Sequence, residues 1–203
     1  MSQVSLTELI TQAKSGNLVS FPTDTVPALA TLPDQAELIF AAKQRPADKP
    51  LILMGASPED LWPYVSGTAA EQEIWQQTAK TYWPGSLTLV LPASEIAPKA
   101  MNPIDPSTLG IRVPNCELTC QILAATGPMA TTSANRSGEP PLTTMAEIAA
   151  AFPEVFTLNG DKRKSGSGLP STVAKWTGEG WQILRQGSVN LTQNLTHRSE
   201  NDL

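Results

Sequence analysis

Only one histidine occurs in the chain, which narrows the chemistry that its side chains can perform. It is His197, in the polar C-terminal stretch NLTQNLTHRSENDL. The sequence therefore argues against a Ser-His-Asp triad, a Cys-His pair and a histidine-rich metal site. Cys116 and Cys120, at i and i+4 in a helical pattern, match no zinc or redox spacing and are expected to pack on one helix face. Chemistry must then come from Lys, Arg, Ser, Thr, Asn, Asp and backbone groups.

Hydroxyl, basic and amide residues gather where predicted strands end. The clusters are 21–25, 43–46 with Lys49, 110–114, 131–135 with 137–138, 166–172 and 184–187. In open α/β sheets, ligands bind beyond the carboxyl ends of the strands. Hydroxyls and loop amides donate hydrogen bonds to phosphate and carboxylate oxygens, and a guanidinium adds a bidentate fork. Each cluster alone could be a simple turn, but together they predict an anionic ligand.

The common phosphate-binding motifs do not accompany these clusters. The sequence contains neither the Walker A pattern G-x-x-x-x-G-K-[ST] nor a G-x-G-x-x-G segment after a predicted strand. Gly166 and Gly168 form only a lone glycine pair. A nucleotide would therefore have to be held by other means.

The spacing of apolar residues predicts strands that alternate with helices. Helices are predicted over 5–14, about 34–43, 68–83, 117–125 and 144–151, and strands over 18–21, 51–54, 87–91, 109–113, 129–132, 155–158, 172–176 and 181–185. Such alternation indicates α/β architecture with a partly parallel sheet. The short turn 177–180 between the last two strands predicts an antiparallel hairpin, and hence a mixed sheet.

Composition sets the wider limits. The chain has 203 residues, of which 40% are apolar and 16% charged, and the 18 prolines favour a loop-rich fold. One domain over 1–190 and a polar, disordered tail over 191–203 are predicted. A net charge of −5 argues against nonspecific coating of nucleic acid, although a local basic groove remains compatible with it. Without a long apolar run or a signal-peptide pattern, a cytoplasmic protein with no membrane association is expected.

Seven short segments carry a resemblance to a known family. They are FPTDT 21–25, KQRPADKPL 43–51, WPGSLT 83–88, IRVP 111–114, SANRSG 133–138, STV 171–173 and LRQG 184–187. Members of the YrdC/TsaC family of threonylcarbamoyl-AMP synthases carry similar segments in the same order, and the chain resembles that family from about residue 6 to residue 187. The resemblance implies a YrdC-like α/β fold, in which a twisted open mixed sheet flanked by helices surrounds a large concave basic groove.

The resemblance also implies a reaction. L-threonine, bicarbonate (or CO2) and ATP would give threonylcarbamoyl-AMP and pyrophosphate, with Mg²⁺ accompanying ATP and no metal site of the protein's own. The product would pass to the transferase machinery that forms N6-threonylcarbamoyladenosine at position 37 of tRNA. A carbamate is already anionic, so its attack on the α-phosphorus would not strictly require a general base.

Roles for individual residues follow from the same resemblance. Lys43 and Arg45 are the expected catalytic cations beside the ATP phosphates. The expected ATP contacts are Arg45, Lys49, Thr108, Ser133, Asn135 and Arg185. The expected threonine contacts are Thr23, Thr25, Arg112, Thr131 and Ser171.

A second hypothesis belongs to a different class of function. Pro27, Met54 and Pro141 stand where the family commonly has tyrosine, histidine and serine. The YciO-like branch shares the fold, so the chain could be a non-catalytic RNA-binding or ribosome-associated module. A basic groove for structured RNA would then be formed by Lys43, Arg45, Lys49, Arg112, Arg136, Lys162, Arg163, Lys164 and Arg185.

Overall fold

A mixed β-sheet runs through the computed structural model, which describes residues 3–136, 138–159 and 166–191. Within those ranges the sheet has ten strands: β1 (Gln3–Val4), β2 (Val19–Phe21), β3 (Ala28–Thr31), β4 (Ile52–Met54), β5 (Leu87–Pro92), β6 (Thr108–Arg112), β7 (Met129–Ser133), β8 (Phe156–Leu158), β9 (Thr172–Trp176) and β10 (Trp181–Arg185). Their order across the sheet is β1-β8-β2-β3-β7-β4-β6-β5-β9-β10. The α-helices are α1 (Leu6–Lys14), α2 (Glu37–Lys43), α3 (Ala69–Tyr82), α4 (Glu117–Thr126) and α5 (Met145–Ala151).

The predicted mixed sheet is confirmed. Parallel pairs join β1 to β8, β2 to β8, β4 to β6 and β5 to β9. The other neighbours, including the β9–β10 hairpin, are antiparallel. The sequence prediction missed β1 and β3. Strand β3 is buried along its whole length and is made of small and apolar residues directly after Pro27, so it shows no alternation of polar and apolar positions.

Side-chain caps begin three of the helices. The Ser5 hydroxyl accepts a hydrogen bond from the Glu8 N–H before α1, and Thr68 and Thr144 form capping boxes before α3 and α5. These helix starts agree with the sequence pattern. In the described part of the chain no helix is long and apolar enough to cross a membrane.

The prediction that 43–46 follows a strand is wrong. This segment lies at the end of α2: Lys43 is the last residue of the helix, and the next residue, Gln44, has the left-handed conformation with φ of 50°. The apolar residues of α2 keep helical spacing up to Lys43, and the left-handed residue then turns the chain away from the helix axis. Lys43 therefore belongs to the helix, whereas Arg45 belongs to the segment after the turn.

Both cysteines are free and half-buried at the start of α4. Cys116 directly precedes the helix, and Cys120 lies in its first turn. The Cys120 thiol donates to the Pro114 carbonyl oxygen at 3.3 Å, and burial raises the pKa of this thiol. The spacing correctly predicted a helix residue at Cys120, but Cys116 lies outside α4 and neither cysteine belongs to the buried core.

Three tryptophans attach α3 to the last two strands. Trp75 of α3 is fully buried and stands edge-on to Trp176 of β9, with ring centroids 6.3 Å apart. Trp176 in turn meets Trp181 of β10 at 5.3 Å and donates from its indole nitrogen to the Glu71 carboxylate at 2.9 Å. Such aromatic pairs stabilise beyond the area they bury, and here they fix the hairpin that carries Arg185.

The turn after β10 passes very close to the start of β9. A Cβ atom on Gly187 would lie 2.3 Å from the Pro170 carbonyl oxygen and 2.5 Å from the Thr172 backbone nitrogen. The Gly187 N–H also donates to the Thr172 hydroxyl at 2.9 Å. Because the obstructing atoms belong to the backbone, a side chain at this position would displace the segment that carries Ser171.

Replacing Gly187→Ala should therefore lower the free energy of unfolding by about 1–3 kcal/mol, the usual cost of overpacking. Gly180→Ala is the matched control, because a Cβ on Gly180 would meet nothing within 4 Å. This control should change stability by about 0.5 kcal/mol or less. Denaturant unfolding of both variants measures the difference, and equal midpoints would contradict the packing described.

Candidate functional site

A cavity of about 420 Å³ opens beside the central strands. Its wall is built from the loop between β2 and β3, the segment after α2, strands β4 to β7, and the β9–β10 hairpin. Most of the residues predicted for ATP and threonine lie in this wall: Thr23, Thr25, Arg45, Thr108, Arg112, Thr131, Ser133, Ser171 and Arg185. Lys43, Lys49 and Asn135 do not line it.

Arg112, the last residue of β6, is a buried cation in the cavity wall. Its side chain is 4% exposed. Its Nη2 donates to Asp24 Oδ1 at 2.5 Å, its Nη1 to Thr25 Oγ1 at 3.0 Å, and its Nε to the Gly85 carbonyl oxygen at 3.0 Å. Burial lowers the pKa of Arg112, and the adjacent Asp24 carboxylate opposes that shift. The guanidinium is thus held in one orientation by three separate acceptors.

Threonine hydroxyls shape the loop beside Arg112. Thr23 and Thr25 are buried, and their hydroxyl oxygens lie 3.0 Å apart. The Thr23 hydroxyl donates to the Val26 carbonyl oxygen at 2.7 Å and accepts from the Thr25 N–H at 3.1 Å. The loop is therefore closed on itself by its own side chains, in the manner typical of short Ser/Thr turns.

Ser171 and Arg185 meet at the β9–β10 hairpin. Arg185 Nε donates to the Ser171 carbonyl oxygen at 3.0 Å, and its Nη2 donates to the Ser171 hydroxyl at 3.2 Å. The Ser171 hydroxyl also lies 2.9 Å from that of Thr88 on β5. These bonds connect the predicted nucleotide cation to a predicted threonine contact.

Arg45 is the second guanidinium near Arg185. Its Nε and Nη2 donate to the carbonyl oxygens of Lys49 and Pro50, at 2.8 and 3.1 Å. Burial and the positive charge of Arg185 lower the pKa of Arg45, while Asp48 acts in the opposite direction. Like charges held near one another are unfavourable without a counter-ion, and this arrangement is typical of an anion site.

Lys43 lies behind the wall rather than in it. It is 1% exposed, and its ammonium donates to the Ser133 carbonyl oxygen and, at 3.1 Å, to Asn135 Oδ1. The Ser133 hydroxyl donates to the same Asn135 oxygen at 2.6 Å. Burial, and then the charge of Arg45, lower the pKa of Lys43 to about 7. Its protonation state can therefore respond to a charged ligand at neutral pH.

Two cations of the RNA hypothesis, Lys49 and Arg136, lie on the protein surface. Lys49 is exposed, and its backbone carbonyl rather than its ammonium contacts Arg45. Arg136 is exposed, with its guanidinium carbon 5.6 Å from the centre of the Phe152 ring. The remaining residues named from the sequence, Ser137, Lys162, Arg163, Lys164 and His197, lie outside the described residues.

Among the residues that received no role from the sequence, three make hydrogen bonds at the site. Asp24 pairs with Arg112, Thr88 contacts Ser171, and Asn102 lines the cavity and donates to the Thr108 carbonyl oxygen at 3.2 Å. Asp24 and Thr88 belong to the segments FPTDT and WPGSLT, so their membership of these segments could have indicated a place in the site. Asn102 stands in a loop without a pattern, so nothing in the sequence indicated it.

Comparison with known proteins identifies relatives of this chain. The model of the Sua5/YciO/YrdC family, described as "Telomere recombination", matches residues 11–187. A threonylcarbamoyl-AMP synthase of Pyrococcus abyssi is 37% identical over 185 residues, 89% of this chain and 53% of that protein. One of Vibrio campbellii is 34% identical over 189 residues, 89% of this chain and 97% of that protein. The chain thus spans about half of the first relative and almost all of the second.

Solved structures agree. Pyrococcus abyssi Sua5 complexed with L-threonine superimposes with a TM-score of 0.80 at 34% identity, over 92% of this chain and 55% of that one. Escherichia coli YciO, at 21% identity, has a TM-score of 0.75 over 91% of this chain and 90% of that one, which shows the shared fold alone. Because the family model covers most of the residues and relatives exceed 30% identity, the chain belongs to the Sua5/YciO/YrdC family.

Proposed function

We propose that this chain is a threonylcarbamoyl-AMP synthase, which forms threonylcarbamoyl-AMP and pyrophosphate from L-threonine, bicarbonate or CO2, and ATP. The observation that carries the proposal is the single cavity shared by Arg112 with its threonine hydroxyls and by the Arg45–Arg185 pair. One group suits a small carboxylate and the other suits phosphates. Relatives named threonylcarbamoyl-AMP synthase, and a related structure holding L-threonine, support the same assignment.

Threonine would occupy the part of the cavity near Arg112. The guanidinium would take the substrate carboxylate, with further contacts from Thr23, Thr25, Thr131 and Ser171. The threonine nitrogen, as the free amine, would form a bond to the carbon of CO2 and lose a proton to give the carbamate. With bicarbonate the same N–C bond would form while a C–O bond breaks and water leaves. Holding the reactants in contact supplies much of the acceleration, because it removes the entropic cost of bringing them together.

ATP would extend toward the guanidinium pair. A carbamate oxygen would attack the α-phosphorus, and the bond to the β-phosphate oxygen would break to release pyrophosphate. Arg45 is the proposed catalytic cation, which would offset negative charge as pyrophosphate departs. Lys43, the other cation expected from the resemblance, lies behind the wall and would act on that charge without contacting the phosphates. The other proposed nucleotide contacts are Lys49, Thr108, Ser133, Asn135 and Arg185.

Mg²⁺ is proposed to enter with ATP. Among the described residues there is no group of three or more His, Cys, Asp or Glu side chains that could hold a metal ion. The described carboxylates of the wall are Asp48 and Asp105. The ion would be held mainly by phosphate oxygens and water, where it would offset charge on the phosphates.

The RNA-binding alternative is weaker. Two of its proposed cations, Arg112 and Lys43, are 3% and 1% exposed, so they are not available to the phosphates of a nucleic acid surface. In the synthase assignment, by contrast, a small ligand enters the cavity and reaches the buried Arg112 there. We propose that the protein acts in the cytoplasm and that its product reaches tRNA through a separate transferase.

The first test is product formation. Purified protein with L-threonine, bicarbonate, ATP and Mg²⁺ should release pyrophosphate and yield threonylcarbamoyl-AMP, detected by mass spectrometry. Release should fall to background when threonine or bicarbonate is left out. Absence of the adduct in the complete mixture, from protein that is folded by circular dichroism, would overturn the proposal.

Arg45→Ala should raise the KM for ATP about 10- to 100-fold, because hydrogen bonds to charged groups contribute about 1.5–3 kcal/mol. The KM for threonine should change far less. Lys80→Ala, on an exposed position of α3, is the control for loss of a positive charge. Equal effects on both substrates would place Arg45 outside the proposed nucleotide site.

Lys43 makes ATP binding depend on pH. With a pKa of about 7 in the free protein, Lys43 is mostly neutral at pH 8. A bound triphosphate favours the charged form and raises the pKa, so binding should take up protons at pH 8 and fewer at pH 6. Calorimetry in buffers of different ionisation enthalpy measures this uptake. It should vanish in Lys43→Met, and persistence there would show that another group titrates.

A further inference from the structure

Asp24 is a partly buried carboxylate to which the proposed substrate contacts give no role. Its side chain is 11% exposed, and it does not line the cavity. Its Oδ1 accepts from Arg112 Nη2 at 2.5 Å, and its Oδ2 accepts from the Ser86 hydroxyl at 3.2 Å. Asp24 therefore lies behind the guanidinium, where it can act on a substrate only through Arg112.

We propose that Asp24 is a positioning residue that makes the Arg112 end of the cavity a receptor for a zwitterionic amino acid and keeps phosphate groups out of it. The inference rests on the proposed function, since it assumes that threonine and ATP share this cavity. It has two parts, one concerning orientation and the other concerning charge.

The orientation of Arg112 depends on neighbouring backbone as well as on the carboxylate. Among the described residues, acceptors are found for three of its five N–H groups, which leaves two for a ligand. The backbone that carries Asp24 is itself held, because the Ser167 N–H donates to the Asp24 carbonyl oxygen at 3.0 Å. A fixed guanidinium loses little freedom on binding a carboxylate, so the pocket is organised before threonine arrives.

The two ends of the cavity differ in charge because Arg112 is paired with Asp24. Arg112 and Asp24 together carry no net charge, and a zwitterion placed against them adds none. Arg45 and Arg185, by contrast, form no salt bridge with any carboxylate in the described part of the chain, although the charge of Asp48 reaches Arg45 and that of Arg185 also reaches Arg112. A phosphate at Arg112 would meet the nearby carboxylate and be repelled, whereas at Arg45 and Arg185 it would be attracted. ATP should therefore bind in one direction only.

The test is threonine binding by calorimetry, alone and with inorganic phosphate present. The wild-type protein should bind threonine, and phosphate should not compete. Asp24→Asn should raise the threonine Kd about tenfold or more, and phosphate should then compete with threonine. Asp24→Glu should exclude phosphate again but still bind threonine weakly, because the charge returns while its position shifts by a methylene. A purely structural defect would not produce this difference between the two variants.

Asp60→Asn is the control, since Asp60 accepts a hydrogen bond from the Ser57 N–H at 2.9 Å and does not line the cavity. It should bind like the wild type. Retained binding of a non-hydrolysable ATP analogue shows that the Asp24→Asn protein is folded. If that variant does not fold, Ser86→Ala tests the same role, because it removes the hydrogen bond to Asp24 Oδ2 and should raise the threonine Kd several-fold. Wild-type affinity without phosphate competition in Asp24→Asn, or unchanged affinity in Ser86→Ala, overturns the role of Asp24. A wild-type protein that binds no threonine overturns the proposed function instead.

Discussion

The burial of positive charge is the constraint on which this structure depends. A cation withdrawn from water is costly unless acceptors surround it, and here the acceptors come from distant parts of the chain. They are Asp24, Thr25 and Gly85 for Arg112, and Ser133 and Asn135 for Lys43. Each cation therefore joins segments that local structure alone would leave apart.

The sheet order explains how those segments meet. Strands β3, β7, β4 and β6 are neighbours at the centre of the sheet, although they come from separate parts of the sequence. The loop before β3, the end of β7 and the end of β6 consequently face one cavity. The β9–β10 hairpin closes another side, and tryptophan contacts with α3 hold it there. The groups that line the cavity are thus carried by strands and short loops.

At the end of α2, two cations only two residues apart, Lys43 and Arg45, lie in different environments. Lys43 is the last residue of the helix and points into the protein, where it is held by Ser133 and Asn135. Gln44 then adopts the left-handed conformation, and Arg45 emerges at the cavity. The pKa of the first cation is lowered to about 7 by burial, while the second is a permanent charge. One short segment therefore supplies both a titratable and a fixed positive charge.

The sequence by itself determined most of the helices and strands, the family resemblance and a set of predicted site residues, most of which lie in the cavity wall. Helix caps such as Thr68 with Glu71 depend on neighbours three residues apart, and the hydroxyl and arginine clusters keep their identity wherever the strands are placed. Only the tertiary structure decided which of these groups are buried, which are paired, and which lie behind the wall. Those properties arise from contacts across long sequence separations, as between Asp24 and Arg112, and no local pattern encodes them. Strand β3 belongs to the same class, because its place in the sheet comes from pairing with β2 and β7 rather than from its own residues.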